Sequence, residues 1–551
     1  MHIVIIGGVA GGAACAARLR RLNEDCTITI VEQGSYVSFA NCGLPYYLSE
    51  AIPARESLFV TTKDALTQNF KLEVLVNTTA LAIDRKLQQV TVQDNSGQRA
   101  LNYDVLILSP GSLPVVPPFA RDLCHVYTLR TVPDADKVKA DLAHPGKKVL
   151  VVGGGFIGLE CAENLVAAGA EVTLVEGMAQ VLPPLDFEMA QFVHAKLVAQ
   201  GIKLHLGTKL DGLSASADDK LEAQFGGGSE LFDGVVLAIG GRPNSTLAQS
   251  CGLTLNARGF IVTDEMMRTS DEHIYALGDA VELSEPLLGG RTTVALAGPA
   301  NKQARILCGD IAKRFFKQDL ALGSYQGAMG ASAVKVFDIE AASVGFSEAR
   351  LEALGQEHAA IWLHPMQHAA YYPQASRCHL KLIYCPQSFK LLGAQAVGAD
   401  AVKRIEIISA YLHLGGTIDD LAMHEQVYAP PFSSARDGVN YLGCVLQNIR
   451  AGLVKMARFD ELKTKFKDAF LLDVRPPGMF AASHIEGFVN IPLDKLRAAL
   501  DTLPRDKAIV VTCVVGISAY NACRILQQHG FNEVYDLSGG VTTYFAATAK
   551  Y

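Results

Sequence analysis

Residues 147–176 read KKVLVVGGGFIGLECAENLVAAGAEVTLVE. The apolar run Val149–Val152 predicts a buried strand. Gly153-x-Gly155-x-x-Gly158 predicts a tight turn opening a helix, and the run from Val172 predicts a second strand closing on an acid, Glu176. Strand, glycine turn, helix and strand in this order make a βαβ dinucleotide-binding unit. Glycines let the backbone approach a pyrophosphate, and the N–H groups of the helix start, around Phe156 and Ile157, meet its negative charge. Glu176 suits a free ribose 2′-hydroxyl, and the Gly-Met-Ala-Gln after it offers no arginine for a 2′-phosphate. NADH is therefore expected ahead of NADPH, which needs an arginine from elsewhere in the fold.

The chain opens with the same unit. HIVIIGGVAGGAACAARLRRL predicts strand, glycine turn and helix, and CTITIVE a second strand ending in Glu32. Gly7, Gly8, Ala10, Gly11 and Gly12 form the turn, with Val9 where the pattern has its middle glycine. Two such sites imply one bound flavin and one visiting nicotinamide. At 551 residues the chain exceeds one core and divides into about three or four domains. A net charge of −7 gives no reason to expect nucleic acid or an anionic membrane as partner. The first apolar run, IVIIGGVAGGAACAA, is punctuated by glycine and lacks the basic leader of a signal peptide. No stretch reaches the ~18 apolar residues of a membrane helix. Twelve cysteines are scattered with no C-x-x-C, which argues against a zinc site and a secreted disulfide framework; no metal is expected, and a reducing cytoplasm is.

Further segments resemble the pyridine nucleotide–disulfide oxidoreductase family. LILSPGSLP (with Ser109, Pro110 and Gly111) and VVLAIGGRPN (with Gly240) are similar to its crossings between FAD and NAD domains. IYALGDAV is similar to its second FAD motif, implying that Gly278 and Asp279 hold the flavin ribitol. ALAGPANKQARIL is similar to its helix beneath the isoalloxazine, implying contacts from Ala297, Pro299 and Ala300. The implied fold is α/β: nested Rossmann-like FAD and NAD domains, an α+β dimerisation domain and a C-terminal rhodanese α/β domain. The expected boundaries are 1–112 and 250–325 for FAD, 113–249 for NAD(H), 326–445 for dimerisation, 446–458 for a linker and 459–551 for the rhodanese unit.

SFANCGLPYY, residues 38–47, carries one cysteine, Cys42, and resembles the family's single-cysteine branch of coenzyme A–disulfide reductases, NADH oxidases and NADH peroxidases. A thiolate there attacks an external disulfide or persulfide to leave a mixed disulfide, or cycles through sulfenic acid in the oxidases and peroxidases. The peroxide-reducing members carry a histidine where this chain has Ala10, which disfavours peroxide chemistry. The resemblance implies coenzyme A contacts from Arg18 and Arg21 on the first helix, from Ser38 and Asn41 beside the thiol, and from Arg436. It also implies that Tyr428, in AMHEQVYAPPFSSARD, reaches the redox cysteine of a partner subunit. HAAYYPQA adds a second tyrosine, Tyr371 or Tyr372, with Tyr372 preferred. A phenol beside a thiolate can protonate the leaving thiolate. Active sites shared across a homodimer follow.

In the tail, LLDVR, HIEGFVNIP and LSGGV resemble a rhodanese domain. Cys513 stands at its sulfur-carrying position, in a loop whose N–H groups favour an anion. Many rhodaneses place arginine at the sixth position of this loop; CVVGISAY has Ser518, which argues against thiosulfate, a dianion, and for a persulfide or polysulfide donor. Asp473 and Arg475 are expected to close loops rather than react. The whole implies a FAD-dependent NADH oxidoreductase acting on coenzyme A persulfide, polysulfide or disulfide, with Cys513 carrying sulfane sulfur. An NADH oxidase or peroxidase, or a redox-sensing sulfur carrier with little turnover, is the alternative.

Overall fold

Ile3 to Ile6 and Ile28 to Val31 are buried on both faces of their strands and apolar but for Thr29, the pattern of a parallel sheet covered by helices on either side. The computed structural model, which describes residues 1–551, places them so. His2–Ile6 pairs in parallel with Thr27–Val31 on one side and Val105–Leu108 on the other. Glu73–Leu75 closes one edge and Ile274–Ala276 the other. The last strand arrives from far along the sequence, and the second nucleotide unit is inserted before it. There Lys148–Val152 lies in parallel between Glu171–Val175 and Gly234–Leu237, with Val126–Tyr127 beyond. The nested α/β fold is as expected. Ser112–Pro114 pairs with Gly241–Pro243 where the chain leaves the first sheet and returns.

The chain divides into two compact units, residues 1–177 with 208–329, and residues 178–207 with 330–551. Segment 178–207, expected within the NAD-binding region at 113–249, thus packs with the second unit. Its helix Phe187–Ala199 begins at a buried acidic pair, Asp186 and Glu188, and both carboxylates meet Lys381 there.

The second unit holds a five-stranded antiparallel sheet in the order Ser332–Val336, Ile339–Gly345, Leu391–Gly398, Cys378–Tyr384, Ala359–Leu363. Helix Gly438–Arg450 runs through the expected boundary at 445, opened by a capping box between Asp437 and Asn440. Beyond it lies a parallel sheet ordered Lys455–Ala457, Val534–Leu537, Ile509–Thr512, Phe470–Asp473, Val489–Asn490.

This tail is fastened to the antiparallel sheet. The Trp362 backbone N–H donates to Ser538 Oγ at 3.1 Å, and His364 Nε2 shares a 2.8 Å hydrogen bond with Thr543 Oγ1. Arg458 reaches Glu348 at 2.6 Å. Behind this seam, the Lys381 ammonium, with no exposed surface, lies 2.5 Å from Glu188 and Glu348 and 2.7 Å from Asp186. Burial alone pushes such an ammonium down, but the carboxylates of Glu188, Asp186 and Glu348 outweigh it and hold Lys381 above its usual range. The cation of this three-carboxylate cluster is the lysine itself.

Candidate active site

Both glycine loops close on themselves. A Cβ on Gly12 would lie 1.8 Å from the Gly7 carbonyl oxygen, and one on Gly158 would lie 1.9 Å from that of Gly153. Only glycine permits these approaches, which bring each loop flush with its helix. The acid at the end of each second strand is turned back to its loop: Gly8 N–H donates to Glu32 at 2.8 Å, Gly154 N–H to Glu176 at 2.6 Å. Beside Gly155, Gly240 and Gly298, an added Cβ meets nothing within 4 Å. Bare backbone, open space and a loop-facing carboxylate are what a dinucleotide needs, so these residues fit FAD at the first loop and NAD(H) at the second.

Asp279 lies in the short helical turn Gly278–Ala280. Its carboxylate accepts from Ser112 Oγ at 3.3 Å and from Arg130 at 3.4 Å. Gly278 N–H donates to Gln303 Oε1 at 2.8 Å, on helix Ala297–Phe315, whose first residues are Ala297, Pro299 and Ala300. Ser109, Pro110 and Gly111 border the first loop, the Ser109 carbonyl being the atom a Cβ on Gly7 would strike.

Cys42 is exposed, in the single turn Asn41–Gly43 that runs into helix Leu44–Leu48. Ser38 holds this turn against the first glycine loop, its N–H donating to the Gly8 carbonyl at 2.9 Å. The protein packed about the thiol raises its pKa, and the negative charges of Glu160 and Asp279 raise it further; Arg130 pulls the other way. Arg130 and Glu160 lie far from Cys42 in sequence and in no motif of its box, so only the fold shows them.

Of the first-helix arginines, Arg20 is buried and ties the helix end to the Phe70 and Lys71 carbonyls. Arg21 lies over the Phe70 ring. Arg18 has its Nε buried without a hydrogen-bond partner.

In the second unit, the Tyr428 and Tyr371 hydroxyls are 2.9 Å apart on an exposed surface. Tyr372, the tyrosine preferred from the sequence, instead sets its ring edge-on to His368. Arg436 stands over the Tyr441 ring.

Cys513 follows strand Ile509–Thr512 and precedes helix Ile517–Gln528. Its Sγ accepts from the Gly516 N–H at 3.2 Å. Burial raises the thiol's pKa, as does the neighbouring Asp536, while the backbone N–H groups of Ala519, Val515 and Gly516 lower it. Asp536 is itself buried, which pushes its carboxyl far up, and its Oδ1 has no hydrogen-bond partner. Arg475 and Asp473 are paired at 2.7 Å, and Arg475 also holds the Ser483 carbonyl at 2.8 Å, a loop-closing arrangement.

Two nested nucleotide cradles, with an exposed thiol in the turn held against the first, define a flavoprotein thiol–disulfide oxidoreductase, here carrying a rhodanese-type fold. Residues 1–304 match the pyridine nucleotide-disulphide oxidoreductase family, 331–438 its dimerisation domain, and 458–547 the rhodanese-like domain. The chain belongs to the pyridine nucleotide-disulphide oxidoreductase family. Its cofactors are FAD and NAD(H). A coenzyme A disulfide reductase of Staphylococcus haemolyticus (strain JCSC1435) is 34% identical over 446 residues, 80% of this chain and 98% of that one. The reduced Bacillus anthracis CoADR-RHD structure superposes with a TM-score of 0.94 at 39% identity, covering 99% of this chain and 98% of its own. An NAD-dependent persulfide reductase from A. fulgidus gives 0.91 at 37% identity, covering 99% and 100%. No helix is long and apolar enough to cross a membrane.

Proposed function

We propose that this protein reduces coenzyme A persulfide, polysulfide or coenzyme A disulfide with NADH. The observation that carries the reading is the exposed thiol of Cys42 beside the first nucleotide cradle, in a chain whose likeness to a persulfide reductase extends through its rhodanese domain. FAD, when bound, relays the two electrons of NADH to sulfur. The chain does the rest. The Cys42 thiolate attacks the substrate S–S bond; a Cys42–S–S bond forms and a thiolate or hydrosulfide leaves. Two electrons then break the new bond, restoring the Cys42 thiolate and releasing the second sulfur product; when both products end as neutral thiols, one NADH and one proton are consumed for each S–S bond cleaved.

Arg130, within the field of Cys42, favours the thiolate. The guanidinium of Arg18, with Arg21, Ser38, Asn41 and Arg436, suits the phosphates and amide arm of coenzyme A. Tyr428, with Tyr371 as its hydrogen-bonded neighbour, donates a proton at the partner subunit's Cys42, so that each active site draws on two chains. Glu176 favours NADH over NADPH. Cys513, in its cage of backbone N–H groups, carries sulfane sulfur from persulfide or polysulfide. Twelve free cysteines suit a reducing cytoplasm.

Anaerobic NADH oxidation by the FAD-loaded enzyme tests this, comparing coenzyme A persulfide with coenzyme A disulfide. Fast turnover on the persulfide, release of hydrosulfide, and loss of at least a thousandfold in Cys42→Ser are expected. If the disulfide is clearly better, the enzyme is a disulfide reductase with an accessory tail. A water-forming NADH oxidase from Lactobacillus brevis shares the reductase fold (TM-score 0.77, 26% identity, 82% of this chain and 99% of that one), so oxygen is the third substrate to compare. Turnover with oxygen alone would overturn the reading.

A further inference from the structure

One short turn, residues 538–543, grips both the Cys513 loop and the antiparallel sheet. It joins strand Val534–Leu537 to helix Gly540–Thr548. On one side, Val541 N–H donates to the Cys513 carbonyl at 2.9 Å. Thr542 donates twice to the Val514 carbonyl, from its N–H at 3.2 Å and from its Oγ1 at 2.8 Å. On the other side, Ser538 Oγ accepts from the Trp362 N–H at 3.1 Å, and Thr543 Oγ1 meets His364 Nε2 at 2.8 Å. The turn has no slack between these edges. A Cβ on Gly540 would lie 2.4 Å from the Cys513 carbonyl oxygen, and one on Gly539 would lie 2.9 Å from both His364 Nε2 and Trp362 Cβ.

We propose that the turn 538–543 is a positioning device for Cys513: it aims backbone N–H groups of the cysteine loop at the sulfur and takes its own setting from the antiparallel sheet, with Thr542 and Thr543 as the positioning side chains. This rests on the reading of Cys513 as a reacting thiol and adds the residues that set its cradle.

A trans peptide points its C=O and its N–H in opposite directions. Drawing the Cys513 and Val514 carbonyls toward the turn therefore sends the N–H groups of Val514 and Val515 the other way. The Gly516 N–H, next along, donates to Cys513 Sγ at 3.2 Å. Donors fixed like this favour a thiolate or persulfide anion over the neutral thiol. Thr542 and Thr543 act through this backbone, not on the sulfur itself. The far edge of the turn rests on groups that are themselves held. Arg377 donates to the His364 carbonyl at 2.6 Å, and His379 Nδ1 stands 2.8 Å from His364 Nδ1. Ser538 and Thr543 are 1% exposed and His364 2%. In packing this dense, a shift of the turn passes to the cysteine loop.

The test is iodoacetamide alkylation of Cys513 in the dithiothreitol-reduced, FAD-loaded full chain at a series of alkaline pH values, followed by mass spectrometry of the Cys513 peptide. Thr542→Val keeps the shape and loses the Oγ1 donor. Its alkylation rate below the thiol midpoint is expected to fall about fivefold, the effect of roughly one hydrogen bond, with the midpoint moving up. Thr542→Ser keeps the donor and the wild-type profile. Thr543→Val, which gives up His364, is expected to slow the reaction about threefold, and Thr543→Ser to restore it. Asp536, which bears on the same thiol, is untouched by these substitutions, so a moved midpoint belongs to the backbone donors. A side chain that served only to hold the fold would act with the opposite sign, since loosening the packing around a buried thiol admits the reagent. A Thr542→Val rate equal to or faster than wild type, with the circular dichroism intact, overturns the proposal, and the same result in Thr543→Val overturns the coupling to the sheet. Should Thr542→Val not fold, Thr543→Val decides alone. Alkylation needs no sulfur donor, so failure here is distinct from failure of Cys513 to take up sulfane sulfur.

Discussion

Cys513 is met by backbone donors alone. Its thiol is met by the Gly516 N–H, and no basic side chain lies among the groups that lower its pKa. Ser518, on the first turn of the following helix, is where a cation can be added without displacing anything buried. Ser518→Arg is expected to raise the thiosulfate:cyanide sulfurtransferase rate at low substrate at least tenfold, about 1.4 kcal/mol of charge-assisted binding. The initial rate with cyanide as acceptor checks it, and Cys513→Ser should abolish the gain. At this scale the sequence offers candidates where the setting is a continuous string, as with Cys42 in SFANCGLPYY and Cys513 in CVVGISAY. It was silent on Glu160 and Arg130, whose bearing on Cys42 arises only when distant segments fold together. It preferred Tyr372 to the adjacent Tyr371, with nothing in the string to show which of them meets Tyr428. Which hydroxyl meets Tyr428 depends on how the chain turns at residues 369–372, and the turn presents Tyr371.

Helix Phe187–Ala199 shows how an element can pack with a neighbourhood that its own sequence does not announce. Within FEMAQFVHAKLVA, the buried acid Glu188 has meaning only opposite Lys381, on strand Cys378–Tyr384. The lysine joins the ends of three elements, since Asp186, Glu188 and Glu348 all converge on it. Removing the ammonium leaves carboxylates buried together with no central cation. Lys381→Met is expected to cost about 3–5 kcal/mol, the usual penalty for breaking a buried ion cluster from one side. The midpoint of urea unfolding followed by circular dichroism measures it. The βαβ elements were legible because each glycine loop marks its own strand and helix. The junction near residue 445 was not, because nothing in NYLGCVLQNIR interrupts a helix until Gly452.

At the scale of the molecule, the tail and the antiparallel sheet meet through neutral histidines. His364 Nδ1 is 2.8 Å from His379 Nδ1, and His379 stacks on Phe192 at 3.7 Å. Burial, the other histidine and Arg377 hold His364 well below its normal range; burial and then Arg377 bring His379 down to about 4. The unfolded chain, with histidines near 6.5, binds more protons than the folded one between these values, so stability rises with pH across that interval. It is fully present above about pH 6.5 and is lost as pH falls toward 4. Hydrogen exchange in helix Gly540–Thr548 should therefore quicken between pH 7 and pH 5 after correction for intrinsic rates, while exchange in strand His2–Ile6 follows the intrinsic trend. The seam has a further consequence, in descent. Trp362, His364 and Glu348 now face partners on the tail, so the sheet that bears them is an interior rather than a surface. A stop codon ahead of residue 455 would bare that interior at once, and each partner lost would have to be replaced before the shortened protein was serviceable. Such a fusion is easier to make than to undo, and lineages that carry it are expected to keep the tail even where its thiol has fallen silent.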